Sequence, residues 1–545
     1  MTATLRGADI IARRLAEAGC RHAFGIPGGE VLTLIDALEL AGIEFRLARH
    51  ENAAGFMAEG THHMTGAPGI LVATVGPGAA NALNVAANAL QDRVPLIILT
   101  GRVDAAEAIT YNHQVFDHSA VFAPVVKASL TVPDTNIEAL IDKAITIAMD
   151  GRPGPVHIDL PIIEAGRMHA ARPPVKRSPI SPSVPAPGPD LESAREWLAG
   201  AERPLIIAGM DILHHDASDA LQRFARTFSA PVLQTYKAKG VLAEDDPLAI
   251  SAAALSPLAD TVLHPLIQAA DLIVLAGYDP IEMRIGWRNP WSPENQRVIE
   301  IAAAPNDHYM HHATISFVAH VGATLDALSV DALSTNEAPN GNTWPDGEPG
   351  EAREKLAGVY GQNDAWGPAA IVETVRGALP RDGVVAVDTG AHRILLSQVW
   401  RSFEPRSIMQ SMGLCTMGCA VPLAAGAKLA APDRPVVAFT GDGGMEMILG
   451  ELATLRDLGA PIVVVVFDDA SLSLIEKKQR EVGLANAGVD TQGTDFAAVA
   501  EAMGGRGVLC RDRESLATAV SEGLNSDGFT LCHCPIDRRS YDGRL

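Results

Sequence analysis

The chain is poor in aromatic residues, in cysteine and in positive charge. Phe, Trp and Tyr make up 5% of its 545 residues, and there are six cysteines. Lys and Arg number 43 against 65 Asp and Glu, which gives a net charge of −22. Nucleic acids and anionic membrane surfaces are bound by clustered basic residues, so we expect neither as a partner. The cysteine pairs 415/419 and 532/534 have no second ligand pair nearby, which argues against a zinc site.

Long apolar runs are also missing. The chain contains no stretch of 18 apolar residues, the length needed to span a bilayer. The amphipathic segment 1–19 predicts a helix and lacks the apolar core of a signal peptide. We therefore expect a cytoplasmic protein whose thiols stay reduced. In contrast, Gly is abundant, with 49 residues, and 47% of the chain is apolar, as in a globular protein with large cores.

Two Pro-rich stretches, 171–189 and 334–350, divide the chain and predict linkers over 171–190 and 334–365. The segments between them alternate short Val/Ile/Leu runs with longer amphipathic stretches. This pattern predicts three α/β domains, each a doubly wound parallel sheet covered by helices, at 1–170, 191–333 and 366–545. The predicted strands are 22–25, 45–47, 69–74, 96–100, 204–208, 231–234, 272–276, 297–300, 384–388, 436–440, 462–467 and 530–535.

The Gly-Asp-Gly motif at 441–443 follows one predicted strand, and Asp468-Asp469 ends the next. A helix over 445–458 would complete a βαβ crossover between them. Asp442 and Asp469 would then lie together at the carboxyl ends of neighbouring parallel strands, where α/β sheets bind ligands. Two carboxylates and a backbone carbonyl suit Mg²⁺, which commonly accompanies phosphates. Taken alone, the motif could also be an ordinary strand-to-helix turn.

Two features of the N-terminal segment could each belong to a functional site or have an ordinary structural role. Glu51 follows a predicted strand and opens a helix, where an acid commonly stabilises the helix dipole. The Gly-Pro-Gly turn at 76–78 allows close approach of a ligand or another chain, but it could equally be a tight turn. Neither feature identifies a site by itself.

Five motifs, in their order along the chain, resemble the acetolactate synthase and pyruvate oxidase group of thiamine diphosphate enzymes. They are PGGE at 27–30, RHENAAGFMAEG at 49–60, TVGPGAANALNVAANALQDRVPLIILTG at 74–101, GPVHIDLP at 154–161 and the Gly-Asp-Gly unit. The resemblance extends over about 5–535. It implies a pyrimidine-binding N-terminal domain, a central domain and a C-terminal domain that binds the diphosphate. It also implies a homodimer or homotetramer with active sites at the subunit interface.

The resemblance also implies roles for individual residues. Glu51 matches the catalytic glutamate that hydrogen-bonds N1′ of the aminopyrimidine. Asp442, Asp469 and the Ser471 carbonyl match the Mg²⁺ ligands, with Asp469 in place of an Asn. Met417, 25 residues before Asp442, matches the residue that supports the bent cofactor, although a Met can also simply fill a core. The other implied cofactor contacts are Pro27, Gly28, Gly76, Asn81, Thr389, Gly390, Ala391, His392, Cys415, Gly443, Gly444, Leu472 and Ser473. Of these, Ala391 replaces a family Gln.

The implied substrate residues depart from the biosynthetic acetolactate synthases. Gln114 matches a family Gln near the reacting carbon, and His113 replaces a Phe. His113 or His118 could move protons near neutral pH, or either could be an ordinary surface or core residue. Lys478 replaces a Trp, which indicates an anionic substrate or a solvated helix side chain. The expected pocket is completed by Gly29, Leu474 and Ile475.

We expect no FAD, because the central segment lacks the family's Gly-Met-His-Gly stretch and its GYDPIE run at 277–282 is similar to flavin-free catabolic acetolactate synthases. The resemblance implies an enzyme dependent on thiamine diphosphate and Mg²⁺, a lyase or transferase. It would decarboxylate a 2-oxo acid and join the product to a second carbonyl compound. The alternatives are a simple decarboxylase, another lyase, a C–C hydrolase or acyl-CoA lyase on the same fold, and a non-catalytic paralogue.

Overall fold

The computed structural model describes residues 4–170, 181–335, 343–361 and 363–545. Three six-stranded parallel sheets, each flanked by helices, confirm the predicted fold class. The central strands of each sheet are buried along their length, as expected when helices cover both faces of a parallel sheet. No helix in these ranges is both long and apolar enough to cross a bilayer.

The N-terminal domain has the strand order β3-β2-β4-β5-β7-β6, and the short strands β1 and β8 pair antiparallel beside it. Its strands are β1 Thr4–Arg6, β2 His22–Gly25, β3 Glu44–Leu47, β4 Gly69–Ala73, β5 Leu96–Arg102, β6 Ala128–Thr131, β7 Val156–Pro161 and β8 Met168–Ala170. Its helices are α1 Gly7–Glu17, α2 Leu32–Leu40, α3 Glu51–Thr65, α4 Pro77–Asn81, α5 Leu83–Gln91, α6 His118–Phe122, α7 Ile137–Met149 and α8 Ile162–Gly166.

The central domain has the order β11-β10-β9-β12-β13-β14, the 3-2-1-4-5-6 arrangement of dinucleotide-binding domains. Its helices are α9 Pro189–Gly200, α10 Asp211–His214, α11 Ser218–Thr227, α12 Pro257–Ala269 and α13 Val321–Thr335. Its strands are β9 Pro204–Ala208, β10 Val232–Thr235, β11 Ala249–Ala253, β12 Leu272–Ala276, β13 Arg297–Ala302 and β14 Ile315–Val318.

Helix α14, Glu348–Gly358, leads into the C-terminal domain, whose order is β16-β15-β17-β18-β20-β19. The helices are α15 Pro368–Ala378, α16 Ala391–Val399, α17 Ala420–Ala430, α18 Asp442–Met447, α19 Glu451–Leu458, α20 Ser473–Glu481, α21 Phe496–Ala502 and α22 Arg513–Leu524. The strands are β15 Val384–Val387, β16 Ile408–Gln410, β17 Val436–Gly441, β18 Val463–Asp468, β19 Arg506–Leu509 and β20 Thr530–Pro535. Strand order in the N-terminal and C-terminal domains is the same, which the sequence alone did not show.

The structure corrects three expectations about elements. The helix expected over 445–458 begins at Asp442 and is divided into α18 and α19, because the Gly-rich turn itself winds into the first helix. The helix expected over 1–19 begins only at Gly7, after β1. The stretch 334–365 contains α14, because Ala352 and Leu356 are buried in the central-domain core. Residues 171–180, 336–342 and 362 of the expected linkers lie outside the described ranges, and α9 begins within 171–190.

Helices α3 and α17 join the N-terminal domain to the C-terminal domain of the same chain. A Cβ on Gly60 would lie 2.3 Å from the Leu423 carbonyl oxygen, and one on Gly426 would lie 1.9 Å from that of Met57. Only glycine permits such close backbone contact. The buried side chains of both domains merge here into a single hydrophobic core.

Candidate active site

The carboxyl ends of β17 and β18 bring Asp442 and Asp469 together. The two strands are paired in parallel, and the backbone N–H of Ser471 donates to Asp442 Oδ2 at 3.2 Å and to Asp469 Oδ1 at 3.1 Å. Burial, together with the charge of Asp469, raises the pKa of Asp442 to about 7, and burial raises the pKa of Asp469 to about 6. A buried acid beside a half-buried one, both with a raised pKa, is a suitable donor set for a divalent cation.

The neighbouring acid, Asp468, has a different role. Its Oδ2 lies 2.7 Å from His533 Nε2, and its Oδ1 accepts from the Ala470 N–H at 3.1 Å. Ala470 has a φ of 53°, a conformation that only a few non-glycine residues adopt. The turn that Asp468 supports therefore directs Asp469 and Ser471 toward Asp442.

A small cavity of about 150 Å³ opens beside the two acids. Its lining includes most of the predicted C-terminal cofactor contacts, namely Thr389, Gly390, Ala391, His392, Met417, Asp442, Gly443, Gly444, Asp469, Ser471, Leu472 and Ser473. The predicted substrate residues Leu474 and Ile475 also line it. All of its lining residues lie in the C-terminal domain. The volume is below the roughly 300–1,000 Å³ of sites that enclose a whole small ligand, so the cavity suits one end of a cofactor.

The polar groups of this cavity fit a diphosphate. Helices α16 and α20 begin at the cavity, so their first backbone N–H groups are available to an anion. Thr389 Oγ1 and His392 Nε2 are buried without a hydrogen-bond partner in the described part of the chain. Burial lowers the pKa of His392 to about 3, so the neutral ring can donate a single hydrogen bond. A Cβ on Gly444 would lie 2.7 Å from Asp388 Oδ2, so only glycine keeps this wall open.

Asp388 organises the cavity wall from behind. Its carboxylate accepts hydrogen bonds from the backbone N–H of Thr389 at 2.7 Å and of Gly418 at 2.8 Å, and from Thr440 Oγ1 at 3.0 Å. Burial raises its pKa to about 6. Asp388 thereby connects the turn after β15 with the loop that carries Met417.

Glu51 lies in the N-terminal domain, in a second cluster of predicted residues. It begins α3, is 4% exposed, and its Oε2 accepts from Asn81 Nδ2 at 2.9 Å. The Gly-Pro-Gly turn lies against it, since a Cβ on Gly78 would come within 3.2 Å of Glu51 Oε1. Burial and the hydrogen bond from Asn81 fix the position of the Glu51 carboxyl group. Its Oε1 atom has no hydrogen-bond partner among the described residues.

The same turn meets the loop of predicted substrate residues. Gly76 has a φ of 71°, and a Cβ on it would lie 2.7 Å from the Gln114 carbonyl oxygen. Gln114 itself has a φ of 60° and is exposed, as is His113. The structure thus brings Glu51, Gly76, Asn81 and Gln114 into one neighbourhood.

His118 is buried beneath this turn rather than facing a substrate pocket. Its Nδ1 lies 2.8 Å from Asp159 Oδ1, and its Nε2 lies 3.4 Å from the Gly76 N–H. His157 completes a compact group with ligand atoms within 4.8 Å of one another. His157 also contacts Thr100 Oγ1 at 2.7 Å. Hydrogen bonds with Asp159 and Thr100 account for the positions of the two histidines, so no metal ion is needed to explain the cluster.

The remaining predicted residues do not line the cofactor cavity. Pro27, Gly28 and Gly29 form the turn after β2, where a Cβ on Gly28 would lie 2.1 Å from Thr74 Oγ1. Cys415 is not among the residues that line the cavity, and its Sγ lies 3.2 Å from Arg393 Nη2. Lys478 is exposed on α20, one turn beyond Ile475 and Leu474, and so shares their helix face.

Two residues near the site, Tyr541 and Glu30, were not predicted from the sequence. Tyr541 lines the cavity and is 3% exposed, and burial raises its pKa. Glu30 accepts a hydrogen bond from Thr74 Oγ1 at 2.6 Å beside the Gly28 turn. Only the position of Glu30 within the PGGE motif could have suggested a role.

Comparison with known proteins agrees with this geometry. Three domain models match in order: the N-terminal TPP binding domain of thiamine pyrophosphate enzymes at 5–121, the central domain at 191–328, and the C-terminal TPP binding domain at 388–534. The acetolactate synthase of Bacillus subtilis (strain 168) is 29% identical, with 98% of this chain and 93% of that protein aligned. The catabolic acetolactate synthase of Raoultella terrigena is 29% identical, covering 98% and 95%. Acetolactate synthase isozyme 2 large subunit of Escherichia coli (strain K12) is 28% identical, covering 98% and 96%. The chain belongs to the thiamine pyrophosphate enzymes and is acetolactate synthase-like within them.

Proposed function

We propose that the protein is an Mg²⁺-dependent enzyme that decarboxylates a 2-oxo acid and joins the remaining acyl unit to a second carbonyl compound. The observation that supports this most directly is the pair Asp442 and Asp469 beside a cavity suited to a diphosphate. Similarity to acetolactate synthases over 98% of the chain supports the carboligation step. A simple decarboxylase, which releases an aldehyde, is the second candidate.

Each site residue has a task within this proposal. Asp442, Asp469 and the Ser471 carbonyl hold Mg²⁺, while Thr389, His392 and the glycine amides at 443–444 bind the diphosphate. Glu51 holds a proton at Oε1 for exchange with the pyrimidine ring, because Asn81 already engages Oε2. Thiamine diphosphate, when bound, supplies the electron sink that permits loss of CO₂ from a 2-oxo acid.

The assembly belongs to the same proposal. The cavity is lined from the C-terminal domain alone and is too small for the whole cofactor, whereas Glu51 lies in the N-terminal domain. We therefore propose that two chains complete each site, as a homodimer or homotetramer, with domains at 1–170, 191–333 and 366–545. A cytoplasmic location and the absence of FAD are further parts of the proposal.

The test is a product analysis. Purified protein with thiamine diphosphate and Mg²⁺ is given pyruvate and a series of longer 2-oxo acids, and CO₂ and organic products are measured. We expect CO₂ together with a 2-hydroxy-3-oxo acid. Aldehyde as the sole product would support the simple decarboxylase instead, and no CO₂ from any 2-oxo acid would contradict both candidates.

A further inference from the structure

An open cleft of about 890 Å³ lies where the central domain, helix α14 and the C-terminal domain meet. It shares no lining residue with the cofactor cavity. Its volume falls within the roughly 300–1,000 Å³ of small-molecule sites. A short 2-oxo acid would occupy only a small part of it, so the cleft fits a larger ligand.

Four arginines line this cleft, although the chain carries a net charge of −22. Arg353 and Arg376 donate hydrogen bonds only to backbone carbonyls, and Arg381 pairs with Asp245. Arg401 has no ion pair or hydrogen bond with any residue that the structure describes. Arg376 is 8% exposed, and its guanidinium lies over the rings of Trp400 and Phe403. The exposed arginines that have no ion pair in the described part of the chain are therefore Arg353 and Arg401.

Two acids also line the cleft, but each has its own partner. Glu244 accepts hydrogen bonds from Lys239 Nζ and from the Ser402 N–H, both at 2.6 Å. Glu373 lies 3.4 Å from Arg513. The arginines also repel one another, since burial and the charges of Arg401 and Arg381 lower the pKa of Arg376. An anion would relieve this repulsion.

The lining of the cleft also includes the apolar residues Ile250, Leu356, Leu379 and Val399. A guanidinium group binds phosphate oxygens through two parallel N–H donors, which makes arginine well suited to phosphoryl groups. We propose that the cleft is a binding site for a nucleoside diphosphate. Its phosphates contact Arg353 and Arg401, and its base lies against these apolar side chains.

Helix α16 connects this site to the cofactor cavity. Its first residues, Ala391 and His392, line the cavity, while Gln398 and Val399 at its other end line the cleft.

The test is a calorimetric titration of ADP into protein saturated with thiamine diphosphate and excess Mg²⁺, so that the cofactor's own diphosphate site is filled. We expect saturable binding of ADP that is tighter than that of inorganic pyrophosphate. The double variant Arg353→Ala/Arg401→Ala should weaken ADP binding by about tenfold or more. Arg401→Lys, which keeps the charge but loses the two-donor geometry, should fall between.

Arg511→Ala is the matched control, because Arg511 is exposed in the same domain but does not line the cleft. It should bind ADP as the unmodified protein does. The proposal is overturned if ADP does not bind, if Arg511→Ala loses as much affinity as the double variant, or if pyrophosphate binds as tightly as ADP. Each of these results is independent of whether the enzyme carboligates or only decarboxylates.

Discussion

At the residue scale, Glu51 carries the proposed proton transfer. Glu51→Gln keeps the shape of the side chain and an oxygen for the Asn81 hydrogen bond, but it removes the exchangeable acid proton. We expect CO₂ release to fall by about a hundredfold or more, which is the usual range for loss of a general acid or base. The affinity for thiamine diphosphate, measured by calorimetry, should change little.

Glu59→Gln is the control for that experiment. Glu59 lies two turns further along α3, is buried, and bonds Asn88 and His63 at 3.2 Å. Burial raises its pKa to about 7, so an amide resembles its protonated form. Activity equal to the unmodified protein is expected for Glu59→Gln, and equal losses in both variants would contradict the role of Glu51.

The two acids of the metal site should differ in their response to amide substitution. Asp442→Asn keeps one oxygen but places its amide NH₂ group against a backbone N–H, because the Gly443 N–H donates to Oδ1 and the Ser471 N–H donates to Oδ2. Asp469→Asn retains an oxygen ligand and removes the charge that raises the pKa of Asp442. In a Mg²⁺ titration of cofactor-dependent activity, we expect Asp442→Asn to be nearly inactive and Asp469→Asn to need only about tenfold more Mg²⁺. The reverse order would contradict the assignment.

Individual site residues could be predicted only where a short motif carried them. Asp442, Asp469 and Glu51 each follow a strand in a recognisable motif, so their neighbours in space could be inferred. Tyr541 lies in a C-terminal segment without such a motif, and its approach to the cavity depends on how the whole domain closes. His118 was expected either to move protons near the substrate or to be an ordinary surface or core residue. Its pairing with Asp159 could not be predicted, because the pair is formed by β7 packing against α6.

At the scale of elements, the geometry of helix α20 determines which side chains after the metal site face the cofactor cavity. Lys478 and Lys477 are adjacent on it, but Lys477 pairs with Glu481, while Lys478 shares a face with the cavity residues Leu474 and Ile475. We expect Lys478→Ala to raise KM for a 2-oxo acid several-fold without changing thiamine diphosphate affinity. Lys477→Ala should leave KM unchanged in the same steady-state assay, and equal effects would argue against a substrate role for Lys478.

Inner strands of the three sheets were predicted almost to the residue. Those at His22–Gly25, Pro204–Ala208, Leu272–Ala276 and Thr530–Pro535 have the expected bounds. The missed strands are mainly short outer ones, such as β14 and β16, which have few residues to show a pattern. Helix α14 was missed because its Pro- and Gly-rich surroundings indicate a linker, whereas burial of Leu356 against the central domain decides its structure.

At the scale of the whole molecule, the proposed sharing of each site between two chains has a quantitative consequence. Glu51→Gln and Asp442→Asn chains, each inactive alone, are mixed, dissociated and reassociated. If each site takes Glu51 from one chain and Asp442 from the other, a mixed dimer contains one intact site. Random pairing then restores about a quarter of the original activity, since about half of the dimers are mixed.

The control is a mixture of two preparations of the Glu51→Gln chain treated in the same way. It should stay inactive, because no pairing restores the missing carboxyl. If the mixed Glu51→Gln and Asp442→Asn sample also stays inactive while size-exclusion chromatography shows mixed dimers, both residues act within one chain. That result would contradict the proposed assembly while leaving the assignments of the individual residues in place.

The contact between α3 and α17 also bears on how the protein is made. The apolar side chains of α3, including Phe56 and Met57, are covered by a helix that lies beyond the whole central domain in the chain. At about 5–20 residues added per second, the ribosome needs roughly 20–70 s between the two helices. During that interval the surface of α3 that α17 later covers stays exposed, which makes the nascent chain prone to aggregation.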